Sequence, residues 1–155
     1  MRAATFRRLM NLWPPFLANG IKVLNIAGDW SSARVVLKLH AWNRNGVGTQ
    51  FGGNLFAMTD PFHSVLALHR LGPHYYVWDK AAEIEFVAPG RENVYAQFRL
   101  DDATITALRE GAASGEKTLR WFDTDVVTGS GELVARVRKQ LYVRLKPRAR
   151  GADAA

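Results

Sequence analysis

Apolar positions along this chain recur with two periods. Phe6, Leu9, Met10, Trp13 and Leu17 fall at helical spacing, so residues 4–18 read as an amphipathic helix. Pro14-Pro15 interrupts it and Asn19-Gly20 ends it. Residues 21–26 read as a short strand, followed by a turn at Gly28-Asp29. Over 32–40 the period becomes two: Ala33, Val35, Leu37 and Leu39 face one way, and Arg34, Val36, Lys38 and His40 the other. That is the signature of a half-buried strand.

Between Asn45 and Pro73 the pattern changes again. A loop dense in glycine, with Gly46, Gly48, Gly52 and Gly53, leads into a long apolar run closed by Arg70-Leu71-Gly72-Pro73, a strong helix stop. The predicted helix starts at Asn54 or at the Gly-Gly before it. Its apolar residues, among them Leu55, Met58, Phe62, Leu66 and Leu71, cover almost the whole circumference, so the helix is expected to be buried on most sides. It nevertheless carries Asp60, followed at once by Pro61, and His63. A carboxylate in such surroundings needs a partner or a function.

The second half is rich in strands. Residues 77–88 place Ile84 and Phe86 on one face and Glu83 and Glu85 on the other, ending at Pro89-Gly90. Strict alternation puts Asp79 with the glutamates unless a bulge reverses it. Residues 93–100 turn Val94, Ala96, Phe98 and Leu100 inward. Asp101-Asp102 caps a short helix through Arg109, ended by Gly111. Residues 117–128 and 132–145 form a hairpin around Gly129-Ser130-Gly131. Ala135, Val137, Leu141, Val143 and Leu145 share a face of the last strand, and Lys139 interrupts their alternation, so a bulge is expected there. The order predicts an α+β fold: an antiparallel sheet wrapped around one long central helix, with an extra N-terminal helix and a short helical insertion.

At 155 residues the chain is long enough for one domain with a real core. It has no cysteine, which excludes disulfides and thiolate metal sites and fits a reducing, cytoplasmic setting. No apolar run approaches the roughly 20 residues of a membrane-spanning helix, and the N-terminus lacks a secretory h-region. The net charge of +7 is concentrated near the end, from Arg136 and Arg138 to Arg148 and Arg150. This run reads as a solvated strand face leading into a basic, disordered tail over 147–155, or as an attraction for an anionic ligand such as a coenzyme phosphate. No nucleic-acid-binding signature accompanies it. His40, His63, His69 and His74 show no metal-ligand spacing, so neither a metal nor a cofactor is expected.

Asp60 and the glycine pair are the chemically suggestive features. Free N–H groups at the start of a helix can stabilise an oxyanion, and Gly52 and Gly53 allow a carbonyl close to the backbone. A carboxylate can activate water or attack. Along one helix, however, Gly53 and Asp60 stand roughly 10 Å apart. A two-fold-related copy could supply the missing half of a site. The alternative for Asp60 is structural: satisfying backbone N–H groups or pairing across a dimer. Asn45 either orients water or makes a turn, and His63 either assists Asp60 or is a hydrogen-bonded core histidine. Trp42 and Trp78 read as core or interface anchors or as ligand stackers, and Asp79-Lys80 as a surface pair or part of the site.

Three stretches, WNRNGVGTQFGGNLFAMTDPF, VWDKAAEIEFVAPGR and ARVRKQLYVR, resemble an uncharacterised branch of the hot-dog acyl-coenzyme A thioesterase superfamily, over nearly the whole chain. The resemblance implies a single hot-dog domain over 1–146. In the related phenylacetate-degradation type, glycine amides polarise the thioester carbonyl and a helix carboxylate is nucleophile or base. Asn45, Gly48, Gly52, Gly53 and Asp60 match that spacing. Phe51 stands where that type has histidine, and Asp79 where it often has a Ser or Thr that holds water. Catalytic roles are thereby implied for Asp60, Asn45, Gly52, Gly53 and Asp79, and substrate contacts for Phe51, His63 and Trp78. The expected function is hydrolysis of an acyl-CoA-like thioester by a homodimer, or a dimer of dimers. The alternative is a catalytically silent hot-dog protein that binds an acyl or lipid-like ligand.

Overall fold

The computed structural model describes residues 1–147. The tail expected over 147–155 lies outside them except for Pro147. Two short helices, α1 (Ala3–Leu12) and α2 (Pro14–Asn19), precede strands β1 (Ile21–Ile26) and β2 (Ser32–Leu37). The glycine loop leads to α3 (Gly52–Ala57) and α4 (Phe62–Leu71). Then follow β3 (Tyr75–Phe86), β4 (Val94–Arg99), α5 (Asp102–Ala112), β5 (Thr118–Thr128) and β6 (Leu133–Leu145). The strands form one antiparallel sheet in the order β1-β2-β4-β5-β6-β3. It wraps around α3–α4, the hot-dog arrangement that the family resemblance implies.

The core lies between α4 and the concave face of the sheet. Phe62, Leu66 and Ala67 of α4 are buried with Val35 and Leu37 of β2, Phe98 of β4 and Leu141 of β6. Phe62 stacks on Phe98 at 4.7 Å between ring centroids. Apolar burial of this kind contributes on the order of 1.5–3 kcal/mol per large side chain. α1 packs along β1 at one edge of the sheet, and β3 forms the other edge.

The structure refines the predicted elements at five places. The N-terminal helix is two helices: Trp13 is extended, and Pro14 starts a new one that ends on Gly20 at φ 73°. The central helix is there but in two segments. Pro61 has no N–H for the carbonyl one turn back. The N–H groups of Thr59 and Asp60 therefore tighten onto the carbonyls of Phe56 and Ala57, at 3.0 and 3.2 Å, and α4 starts afresh. Strand β2 ends at Leu37 rather than residue 40, because side chains replace the ladder there. Asn43 donates to the Lys38 carbonyl and accepts from the His40 N–H, and Asn93 accepts from the N–H of Leu39.

Gly111 does not end α5 but lies inside it. A Cβ there would run into Thr118 Oγ1 of β5, so glycine serves close packing. The bulge expected at Lys139 lies elsewhere, in β3. Asp79 pairs with Leu141 and Ala81 with Gln140, which leaves Lys80 as the extra residue. A second shift lies between Val126 and Val127 of β5. Lys139 itself keeps the alternation of β6 and points into the core beside Val137 and Leu141.

Candidate active site

An inward lysine needs compensation, since burying an unpaired charge costs several kcal/mol. Lys139 has it from two distant parts of the chain. Its Nζ donates to Asp60 Oδ1 at 2.5 Å, to the main-chain oxygen of Asp60 at 2.9 Å and to Asp79 Oδ2 at 3.1 Å. Those three acceptors match the three donors of an ammonium group. The ring of Phe56 lies 5.1 Å from the same Nζ. The Lys139 side chain is only 2% exposed, against 21% for Asp79 and 59% for Asp60.

The bulge at Lys80 is what brings Asp79 to this cluster, since it reverses the strand's facing between Asp79 and Ile84. Burial pushes the Asp79 carboxyl above the usual range. The Lys139 charge and hydrogen bond pull it back, and the negative charge of Asp60 adds to the upward push. Asp79 Oδ1 is buried without a hydrogen-bond partner among the described residues. Asp60 differs: its Oδ2 has no partner among the described residues and its side chain reaches the surface. There it meets a groove of about 230 Å³, walled by Trp13, Phe16, Gly53, Phe56 and Ala57. Pro15, Asn19 and Asp60 itself complete the lining, so the groove is mainly apolar with a carboxylate in its wall.

His63 is buried between aromatic rings, stacked on Phe122 at 4.8 Å and edge-on to Phe98 at 5.2 Å. Burial, followed by the Lys139 charge, lowers its pKa to about 4, against a small opposing pull from Asp123. It is therefore neutral at pH 7. Its Nδ1 has no partner, and no hydrogen bond joins it to Asp60 among the described residues.

The glycine loop lies at the other end of α3. Asn45 organises it: Oδ1 accepts from the N–H groups of Val47 and Thr49 at 3.1 and 3.0 Å, and Nδ2 donates to Thr49 Oγ1 at 2.9 Å. Gly48 takes a φ of 82° in this turn, a conformation that favours glycine. The N–H groups of Gly52 and Gly53 have no acceptor among the described residues. Aromatic rings frame them: a Cβ on Gly52 would lie 2.9 Å from the Phe86 ring, and one on Gly53 would run into Phe51. Asn45, Gly52 and Phe86 line a second cavity of about 330 Å³, whereas Gly53 lines the groove of Asp60.

Asp60 and Asp79 thus come together, His63 is packed behind them, and Asn45 and Gly52 face a separate cavity. Trp78 stacks on Tyr142 at 4.0 Å, on the sheet face opposite Asp79. Trp42 is exposed and stacked on His40. Much of the basic C-terminal run is engaged internally: Arg136 with Asp125, Arg138 with Asp123 and Glu83, and Lys146 with the carbonyl of Pro73. Arg148 and Arg150 lie outside the described residues. Among the described residues no cluster of metal-ligating side chains occurs, and no helix is long and apolar enough to cross a membrane. The residue that sequence reasoning missed is Lys139. Its signal was the unbroken period of two from Ala135 to Val143, with two carboxylates elsewhere in need of a counter-charge.

Several solved structures share the fold. A probable thioesterase of unknown function from Pseudomonas aeruginosa superposes with a TM-score of 0.84 at 20% identity, covering 94% of this chain and 97% of that one. A thioesterase from Haemophilus influenzae gives 0.68 at 14% identity, covering 94% and 92%. The PaaI protein from the phenylacetic acid degradation operon of E. coli gives 0.62 at 17% identity, covering 90% and 89%. No curated protein matches the sequence significantly. The family described as a domain of unknown function, DUF4442, matches residues 2–143. The chain is therefore a member of the DUF4442 family, with the hot-dog fold that these structures share.

Proposed function

We propose that this protein hydrolyses acyl thioesters of the acyl-CoA kind, with Asp60 as the catalytic carboxylate. The observation that carries this reading is the Asp60 carboxylate, its Oδ2 unpaired among the described residues, in the lining of a mainly apolar groove. The groove suits an uncharged acyl chain. Oδ2 takes a proton from water, and the water oxygen bonds to the thioester carbonyl carbon. The carbonyl electrons move onto its oxygen, where main-chain N–H groups stabilise them. Collapse breaks the carbon–sulfur bond, and the leaving thiolate takes up the proton. The products are a carboxylic acid and a free thiol.

The donors come from Gly52 and Gly53 of a second protomer: within one copy Gly53 lines the groove of Asp60, but roughly 10 Å of helix rise separates it from the carboxylate, and Gly52 faces another cavity. The bare edge of β3 supports such a pairing. Among the described residues this 12-residue strand pairs on one side only, with β6, and an uncovered edge invites another strand. A homodimer joined there, alone or paired again as a tetramer, places the two halves together. One observation favours a second reading, a silent acyl-binding protein: the rings of Phe51 and Phe86 lie against Gly53 and Gly52, filling the space a Cβ would take. Incubation with acyl-CoA esters of varied length, with detection of free thiol, separates the two. Thiol release above the uncatalysed rate supports the hydrolase, and saturable binding without release supports the binder.

A further inference from the structure

We propose that Lys139 is a positioning residue: bridging Asp60 and Asp79, it fixes the Asp60 carboxylate so that Oδ2 faces the groove. The consequence for rate rests on the reading of Asp60 given above. The grip on the carboxylate does not.

Lys139 holds Asp60 at two points, one on the side chain and one on the main chain. The main-chain contact is a product of the break at Pro61. In an uninterrupted helix the Asp60 carbonyl would accept from the N–H of Ser64. Here α4 begins with the Val65 N–H on the Pro61 carbonyl, and the Asp60 oxygen turns to the ammonium instead. Pro61 and Lys139 therefore act together: one opens the helix, and the other fixes the residue at the opening. With backbone and Oδ1 both held, Oδ2 is left with little freedom.

The charges around the cluster come from four elements. The turn after α3 contributes Asp60, β3 contributes Asp79, and β6 contributes Lys139. From α4 comes His63, which is neutral at pH 7. Asp123 of β5 faces the outer side, where it meets Arg138. Among the described residues Lys139 is the only cation paired with either carboxylate. Without it, Asp79 would keep the upward push of burial and of the Asp60 charge with no cation to oppose them.

The test is a carboxyl-carbon NMR titration of Asp60 and Asp79 in the intact protein and in Lys139→Met, with Asp60→Asn used for assignment. In Lys139→Met the Asp60 midpoint should move up. Should that variant not fold, Lys139→Gln retains a hydrogen-bond donor without the charge and should move the midpoint the same way. In the parent, the Lys139 Nζ resonance should follow the Asp60 midpoint, a readout that needs no substitution at position 139. An unmoved Asp60 midpoint in a folded variant, or a Lys139 signal blind to Asp60, overturns the proposal. Where thioester hydrolysis is detected, the acid limb of kcat/KM should move up with the midpoint. Shifted titrations without any hydrolysis leave Lys139 in its positioning role and overturn the hydrolase reading alone.

Discussion

At one end of α3, Gly52 and Gly53 present main-chain N–H groups framed by the rings of Phe51 and Phe86. At the other, Asp60 presents a carboxylate gripped by Lys139. The first end holds its donors by backbone geometry and apolar contact. The hydrogen bonds of Asn45 shape the loop, and no charge is involved. The second end holds its acceptor by electrostatics, in a setting where each charge depends on the other two. Charge substitutions should therefore disturb the carboxylate end and spare the glycine end. Steric substitutions should do the reverse.

The largest effect is expected at Asp60. Asp60→Asn keeps an oxygen for Lys139 but cannot accept a proton from water. Turnover with the best thioester should fall by about a hundredfold or more, the scale of losing a general base, with the melting temperature little changed. Equal turnover in variant and parent would remove Asp60 from catalysis.

Next comes His63. Its folded pKa of about 4 lies below the ordinary histidine value of 6.5, so the unfolded chain binds the proton more readily. Its contribution to stability is full above pH 6.5 and is lost as pH falls towards 4, by about 3 kcal/mol in all. Asp79, raised by burial, works the other way and gains on acidification. Comparing parent with His63→Phe by denaturant unfolding from pH 7 to 4 isolates the histidine. The parent should lose stability more steeply than the variant, and parallel curves would mean that His63 is solvated or paired.

The smallest effect is expected at Phe51. Phe51 is 53% exposed and lies against Gly53. Phe51→His should alter the preference among acyl chains by about tenfold, roughly 1.4 kcal/mol, while activity still depends on Asp60. The check is kcat/KM across a chain-length series. If the protein only binds ligands, the same substitution should weaken acyl affinity instead.

These two ends were not equally legible in the sequence. The glycine loop, the start of α3 and the inward faces of β2 and β4 follow from neighbours a few residues apart, and local periodicity reports them. Lys139 read as a fault in a hydrophobic strand because its partners, Asp60 and Asp79, lie 79 and 60 residues away. Nothing local announces a counter-charge at that distance. The facing of Asp79 hung on a single extra residue, Lys80, whose bulge is set by pairing with β6. Pro61 was visible, but the apolar circumference on both sides of it suggested one continuous helix. Gly111 resembled a stop signal only because the close approach of Thr118 cannot be seen from composition.

The shared site is tested most directly by mixing two inactive variants. Asp60→Asn lacks the carboxylate, and Gly53→Val blocks a donor. Each alone should release little thiol from the acyl-CoA that the parent hydrolyses best. Unfolded and refolded together in equal amounts, they should form mixed dimers in which one site keeps both Asp60 and Gly53. Thiol release should then recover to about a quarter of the parent rate, as statistical pairing across a two-fold axis requires. A mixture no more active than the mean of the two variants would contradict a site built from both protomers.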